Sequence, residues 1–228
     1  MPRLEPWIET YKGHKFYFLE PEKSNIDIRD IAHSLAYTCR FGGHTNKFYS
    51  VAEHSVLVSY LALDPLAGLM HDASEAYIAD IASPIKDYLV NYREMEYNIM
   101  SAIHKQFGIT VTDEEDIKDC DAVQLKTEAT YLLPSKGLAW KDQYPTKRKH
   151  GIRPYCFTPE EAEKAFLQRY DEVRNDVLYL DKTNFRLRST PIDKYLDSQN
   201  CMELRTGSAQ LTDCLGQNHC GQASGNDF

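Results

Sequence analysis

Long apolar runs are missing from this sequence. Its hydrophobic stretches are each interrupted by His, Asp, Glu or Ser, so no segment is built to span a bilayer. Residues 1–20 also lack the uninterrupted apolar core of a secretory signal, which places the chain in the cytoplasm and leaves it no membrane partner. A basic surplus is missing too: 26 Lys and Arg stand against 34 Asp and Glu, a formal net charge of −8. A broad nucleic-acid interface needs the opposite sign to displace counterions, so no nucleic-acid partner is expected. An anionic substrate would then need a local device, which a bound cation with a few lysines and arginines supplies. Cysteines number only six. Cys39, Cys120 and Cys156 stand singly in ordinary segments and the other three fall in a polar tail, so reduced thiols are expected rather than a disulfide framework.

What is present suits one buried core with extensions, given 228 residues at 42% hydrophobic content. The runs 7–11 and 15–19 flank Lys12-Gly13-His14 and have the pattern of a β-hairpin, a small appendage over residues 1–25. Helical periodicity follows from Asp27 onward, with Ile28, Ile31, Ala32, Leu35 and Ala36 on one face. Ser50 to Glu53 has capping-box form and opens a second helix, on which Val51, His54, Val58 and Leu61 share a face. Asp64-Pro65 starts a third helix that carries His71, Asp72 and Glu75 together. A fourth runs from Ser83-Pro84 to Gly108, a fifth opens with a capping box at Thr112 to Glu115 and stops near Pro134, and a last begins at Thr158. Residues 134–157 form a long irregular connection, and residues 182–228 read as a polar, flexible tail. The expectation is an all-α bundle over residues 26–181 with a small N-terminal hairpin.

A buried divalent cation held by imidazole and carboxylate needs ligands from different helices brought to one interior point. His54, His71, Asp72 and Asp121 fit that requirement. Singly each has an ordinary explanation, since a lone histidine on an apolar face is usually a hydrogen-bonded core residue and a lone aspartate a cap. Adjacent His71-Asp72 in a context of small residues, followed by Glu75 and Asp80, is harder to explain by packing.

The runs Tyr49–Ser55, Met70–Ala76 and Lys118–Ala122 resemble, in order and spacing, the three metal-ligand motifs of HD-domain phosphohydrolases, and in particular YfbR-like 5′-deoxynucleotidases and bacteriophage dATP triphosphohydrolases. The resemblance covers roughly Trp7 to Arg174. It implies a helical HD core with His54, His71, Asp72 and Asp121 as metal ligands, Glu75 as the acid-base residue and Asp80 on the substrate sugar. Zinc, cobalt, manganese or iron suits two imidazoles and two carboxylates, and a triphosphate substrate could bring magnesium. Arg40-Phe41 precedes the first motif at the distance of a substrate-contacting Arg-Trp pair in the deoxynucleotidases, so Arg40 is expected on phosphate and Phe41 on sugar or base. Phenylalanine in place of tryptophan leaves selectivity for deoxyribose open, and Cys39–His44 has the form of the phage-associated branch. His44 offers a phosphate contact or a loop hydrogen bond, Lys86 a phosphate contact or a solvated lysine, and the basic run Lys147–His150 a triphosphate contact or a solvated loop. Cys214, His219 and Cys220 lack a recognised zinc spacing.

The function expected is hydrolysis of the 5′-phosphoester of a deoxynucleotide, with dATP giving deoxynucleoside and triphosphate as the favoured version. A 5′-deoxynucleotidase acting on monophosphates, a cyclic-nucleotide phosphodiesterase and a non-catalytic nucleotide-binding module are the alternatives. The resemblance also implies a homo-oligomer.

Overall fold

The computed structural model describes residues 5–138 and 145–175. Among the described residues, eight α-helices follow a two-stranded hairpin: β1 (Ile8–Glu9), β2 (Lys15–Phe16), α1 (Ile28–Tyr37), α2 (Val51–Leu61), α3 (Pro65–Met70), α4 (Glu75–Ile78), α5 (Ser83–Lys86), α6 (Tyr92–Phe107), α7 (Glu114–Leu132) and α8 (Pro159–Arg174). The fold is all-α with a small N-terminal hairpin, as the periodicity predicts. The tail beyond residue 182, with Cys214, His219 and Cys220, lies outside the described residues.

Helix α2 is the axis of the bundle. Every residue from Val51 to Ser59 is buried, because α1, α3, α7 and α8 pack around it, and a helix hydrophobic all round belongs in a core. Gly68 permits the closest of these approaches: a Cβ there would lie 2.7 Å from Ala62 Cβ and 3.1 Å from Ser59 Cα. The absent side chain therefore sets the spacing between α2 and α3, and with it the spacing of His54 on α2 from His71 just after α3. The described core includes the fully buried Ile31, Leu35, Leu69, Met70, Ile99, Ile103 and Phe166.

The hairpin is tied to this core. Strand pairing is antiparallel, Ile8 with Phe16 and Glu9 with Lys15, turning at Gly13 with φ 78°. Phe16 is fully buried and stacks on Tyr77 at 3.7 Å. The Asp30 carboxylate of α1 accepts from Thr10 Oγ1 at 2.8 Å and Lys12 N–H at 2.7 Å, and meets His14 Nδ1 at 2.8 Å.

Three boundaries and the completeness of one cap differ from the sequence expectation. The helix expected to run through His71 and Glu75 ends at Met70, and i→i+3 turns, such as Ala73 N–H to Met70 O at 3.0 Å and Glu75 N–H to Asp72 O at 3.0 Å, carry the chain to α4. In such tight turns residues three apart eclipse, which brings Glu75 toward the side of Asp72, and the Asp72 carboxylate is one of the charges that acts on Glu75. The helix expected from Ser83 to Gly108 is two, separated by a turn at Asn91 with φ 64°, and Ile85 and Tyr88 are exposed rather than inward. The cap of α7 is Asp113, which accepts from Asp116 N–H, not Thr112. The capping box at Ser50 is half made: Ser50 Oγ accepts from Glu53 N–H at 3.1 Å, but the Glu53 carboxylate turns away to the segment before α8.

Candidate metal centre

His54 comes from the middle of α2, His71 and Asp72 from the turns after α3, and Asp121 from α7. His54 Nε2 lies 3.2 Å from His71 Nε2, 3.6 Å from Asp72 Oδ2 and 3.1 Å from Asp121 Oδ1. His71 Nε2 lies 3.1 Å from Asp72 Oδ2 and 3.9 Å from Asp121 Oδ1. Metal–ligand bonds of about 2.0–2.1 Å in a tetrahedron require ligand atoms about 3.3 Å apart, and these distances straddle that edge. His54, His71 and Asp72 form a group that can hold a metal ion, and Asp121 Oδ1 lies against the two histidines of that group.

The donor chemistry fits a cation. His54 Nδ1 meets Glu128 Oε1 at 2.6 Å and His71 Nδ1 meets Gly68 O at 2.9 Å. Both partners are acceptors, so each neutral ring carries its hydrogen on Nδ1 and turns its Nε2 lone pair inward. Two lone pairs 3.2 Å apart repel unless a proton or a cation lies between them. Access is from the carboxylate side, where the Asp72 and Asp121 side chains are 22% and 41% exposed while His54 is sealed.

The electrostatics follow the contacts. Burial and the Arg40 guanidinium oppose charge on His54, yet Glu128 and Asp121 raise its imidazole to about 9. Burial likewise opposes ionisation of Asp72, but His71, His54 and Arg40 hold its carboxyl well below the usual carboxylate range. Burial, then the neighbouring Asp72 and Asp80 carboxylates, push Glu75 well above its ordinary value. Burial raises Asp80 as well, against the pull of Arg40. Glu75 is 4% exposed, its Oε1 takes Lys86 Nζ at 3.4 Å, and its Oε2 has no partner among the described residues.

The remaining expected site residues divide. Arg40 is buried beside the cluster, its Nε on Glu128 Oε2 at 3.2 Å and its Nη1 on Asp72 Oδ2 at 3.4 Å. It sits where the chain leaves α1 and returns to α2, pinched by Arg40 N–H to Tyr49 O at 2.9 Å and Val51 N–H to Thr38 O at 3.0 Å. Phe41 follows at φ 57°, with the guanidinium 5.6 Å from its ring. A bulky residue in the left-handed region costs on the order of 1 kcal/mol or more and marks a constrained position. Lys86 is not a solvated lysine: its Nζ bonds Glu96 Oε1 at 2.7 Å besides Glu75. His44 is exposed at the end of the Arg40–Gly43 turn, its N–H on Phe41 O. The basic run 147–150 faces α7: Arg148 bonds Asp119 and Asp116, and Lys147 bonds Glu115.

Glu128 and Tyr49 escaped the sequence reading. Glu128 lies two turns beyond Asp121 on α7, hence on the same face, and that offset was its one signal. Tyr49 donates its hydroxyl to Glu128 Oε1 at 2.7 Å. It stands in the first motif, immediately before the Ser50 cap.

No protein-family model matches the chain. It is 36% identical to uncharacterized protein YfdR of Escherichia coli (strain K12) over 171 residues, 73% of this chain and 95% of YfdR. It is 34% identical to an uncharacterized protein of Rhodobacter capsulatus, RCAP_rcc00048, over 142 residues, 55% of this chain and 72% of that one. With near-complete coverage of YfdR at this identity, the chain belongs to the YfdR family.

Proposed function

We propose that the chain is a metal-dependent phosphohydrolase of the HD type, acting on the 5′-phosphoester of a deoxynucleotide. The observation that carries the proposal is the convergence of His54 Nε2, His71 Nε2 and Asp72 Oδ2 within 3.1–3.6 Å of one another, with Asp121 Oδ1 3.1 Å from His54 Nε2, beside a buried Glu75 raised above its ordinary value. These four residues would hold zinc, cobalt or manganese. When bound, the cation supplies Lewis acidity toward water and a phosphoryl oxygen.

The chain's own residues supply the rest. Burial pushes Glu75 above its ordinary value, and with Oε1 directed to Lys86 its Oε2, which has no partner among the described residues, is the atom that hands a proton to the departing 5′-oxygen. Arg40 stays charged between Glu128 and Asp72, and its remaining N–H groups serve phosphate. Asp80 joins the same electrostatic neighbourhood as a partner for a sugar hydroxyl. Lys86 adds positive charge on the Glu75 side of the site, which suits a substrate with several phosphates. The resemblance of Cys39–His44 to the phage-associated branch makes a deoxynucleoside triphosphate, dATP foremost, the favoured substrate, yielding deoxynucleoside and triphosphate. Magnesium would then accompany the triphosphate.

The test is chromatography of products from all deoxynucleoside mono-, di- and triphosphates with zinc, cobalt, manganese and magnesium. Release of intact triphosphate supports the favoured version, and turnover of monophosphates alone supports a 5′-deoxynucleotidase. Absence of turnover with every pair would leave a nucleotide-binding module. Glu75→Ala is expected to lower kcat at least 100-fold with metal still bound, and near-wild-type turnover would remove Glu75 from the proton transfer.

A further inference from the structure

Glu128 is fully buried on α7, and its two oxygens serve three side chains. Oε1 accepts from Tyr49 OH at 2.7 Å and from His54 Nδ1 at 2.6 Å, while Oε2 accepts from Arg40 Nε at 3.2 Å. Arg40 then returns to the cluster through Nη1 on Asp72 Oδ2 at 3.4 Å, the same oxygen that faces His71 Nε2 at 3.1 Å. The contacts close a ring from Glu128 through His54, the ligand cluster, Asp72 and Arg40 back to Glu128.

We infer that Glu128 is a positioning residue with two tasks, holding His54 in the tautomer whose Nε2 faces the metal site and fixing Arg40 so that its terminal nitrogens are turned to the cluster. The metal task rests on the cluster geometry, and the Arg40 task rests on the phosphohydrolase reading above. Only an ionised carboxylate does both. It is acceptor-only on two oxygens, whereas glutamine has one acceptor oxygen and a donor NH2. Whichever way the amide turns, NH2 meets either His54 Nδ1–H or Arg40 Nε–H, donor against donor. Glutamine at 128 can keep one partner and must repel the other. Aspartate is a methylene shorter and cannot reach both.

Cobalt(II) is the probe, because its visible absorption reports ligand number and type at the bound site. Wild-type, Glu128→Gln and Tyr49→Phe full-length proteins are titrated with Co2+, and binding of inorganic tripolyphosphate to the cobalt-loaded proteins is measured by calorimetry. Loss of a carboxylate behind a metal-bound imidazole weakens metal binding about 10–100-fold. E128Q is expected to show that loss in Co2+ affinity, weaker tripolyphosphate binding, or both, according to which partner its amide repels. Y49F removes a bond to the same oxygen without touching His54 or Arg40, so it should lower the melting temperature but leave Co2+ affinity within about threefold.

Wild-type affinity for both probes in E128Q would overturn the inference. So would equal Co2+ losses in Y49F and E128Q, since a merely structural network predicts that. If E128Q does not fold, the two-bond 1H–15N spectrum of wild-type protein loaded with Zn2+ decides: His54 protonated at Nδ1 supports the assignment, and His54 protonated at Nε2 overturns it. Wild-type protein that binds no Co2+ overturns both tasks and the metal centre with them. Co2+ binding without hydrolysis of any deoxynucleotide overturns the phosphohydrolase reading alone and leaves the metal task to the E128Q comparison.

Discussion

Glu53 and Glu128 are both fully buried carboxylates beside His54, one on its own helix and one on α7, and they are used in opposite ways. Glu53 is filled by backbone: Oε1 accepts from Tyr155 N–H at 2.6 Å and Cys156 N–H at 2.9 Å, and Oε2 from Phe157 N–H at 2.8 Å. Three successive N–H groups converge because Cys156 sits at φ 66°, which folds the chain into an anion-holding nest. Glu128 is filled by imidazole, phenol and guanidinium. Backbone donors exist at nearly every residue, so a carboxylate they satisfy is a staple joining two segments. Side-chain donors of three different kinds fix the orientation of groups that have chemistry of their own. The electrostatics separate the two in the same sense: burial raises Glu53 to about 7 despite its three N–H partners, whereas His54 and Arg40 overcome the burial of Glu128 and lower it.

The largest effect expected from this contrast is on folding. Glu53→Ala removes the shared acceptor of three N–H groups, that of Phe157 fully buried, and breaking such a charge-centred set costs about 3–5 kcal/mol. Thermal unfolding should register that loss, while Co2+ affinity of the folded protein stays within about threefold. A melting temperature close to wild type would mean that the segment 155–157 has other anchors and that Glu53 is no staple.

The pH dependence offers a second way to break the comparison. A carboxyl at about 7 when folded and 4.5 when unfolded is charged more readily in the unfolded chain. Its contribution to stability therefore falls as pH rises from 4.5 to about 7, by about 3 kcal/mol in total. Glu128 has the opposite sign: its lowered folded value stabilises above the unfolded carboxylate value, and that support is lost as pH falls through the folded one. Denaturant unfolding across pH 4–8 should show a negative slope from Glu53 that disappears in Glu53→Gln. An unchanged slope in that variant would assign the titration to another group.

Much of this contrast was out of reach of the sequence. The helices α1, α2 and α8 and the end of α6 announce themselves by periodicity and by Asp27, Ser50, Thr158 and Gly108, because caps and apolar spacing are local physics. His54, His71, Asp72 and Asp121 were legible as ligand types on separate elements. Their convergence depends on how closely α2 and α3 approach, which Gly68 decides and no local pattern reveals. Glu53 read as half of a capping box because Ser50-x-x-Glu has that form, and only the fold reveals three competing N–H groups from a segment distant in the chain. The break after Met70 was hidden for a related reason: residues 71–74 contain no Gly or Pro to mark it, and the i→i+3 bonds that replace the helix are visible only in the fold.

Proton competition at the centre is the next effect in size. In the metal-free protein His54 holds its proton up to about 9, so cation binding below that pH must expel it. Apparent Co2+ affinity should rise about tenfold per pH unit between pH 7 and 9 from this proton alone. The proton itself stabilises the metal-free fold, fully below the unfolded histidine value of 6.5 and decreasingly as pH rises through about 9. Pulling Glu128 away should flatten the rise, since its carboxylate is one of the groups that keeps His54 protonated, and Glu53→Gln should leave it as it is. A pH-independent Co2+ affinity would mean that His54 is not a ligand.

The smallest effect discriminates most finely between staple and cap. Ser50 Oγ accepts the Glu53 N–H at 3.1 Å, and removing such an N-cap costs about 1 kcal/mol. If Ser50 and Glu53 formed a reciprocal box, Ser50→Ala and Glu53→Ala would cost similar amounts and the double variant little more than either. The Glu53 carboxylate points instead at residues 155–157, so the two substitutions touch separate bonds. Ser50→Ala should cost about a third of Glu53→Ala or less, and because the Ser50 bond uses the Glu53 backbone, which alanine retains, the double variant should approach the sum. Sub-additive losses in unfolding free energy would restore the capping box and remove the staple.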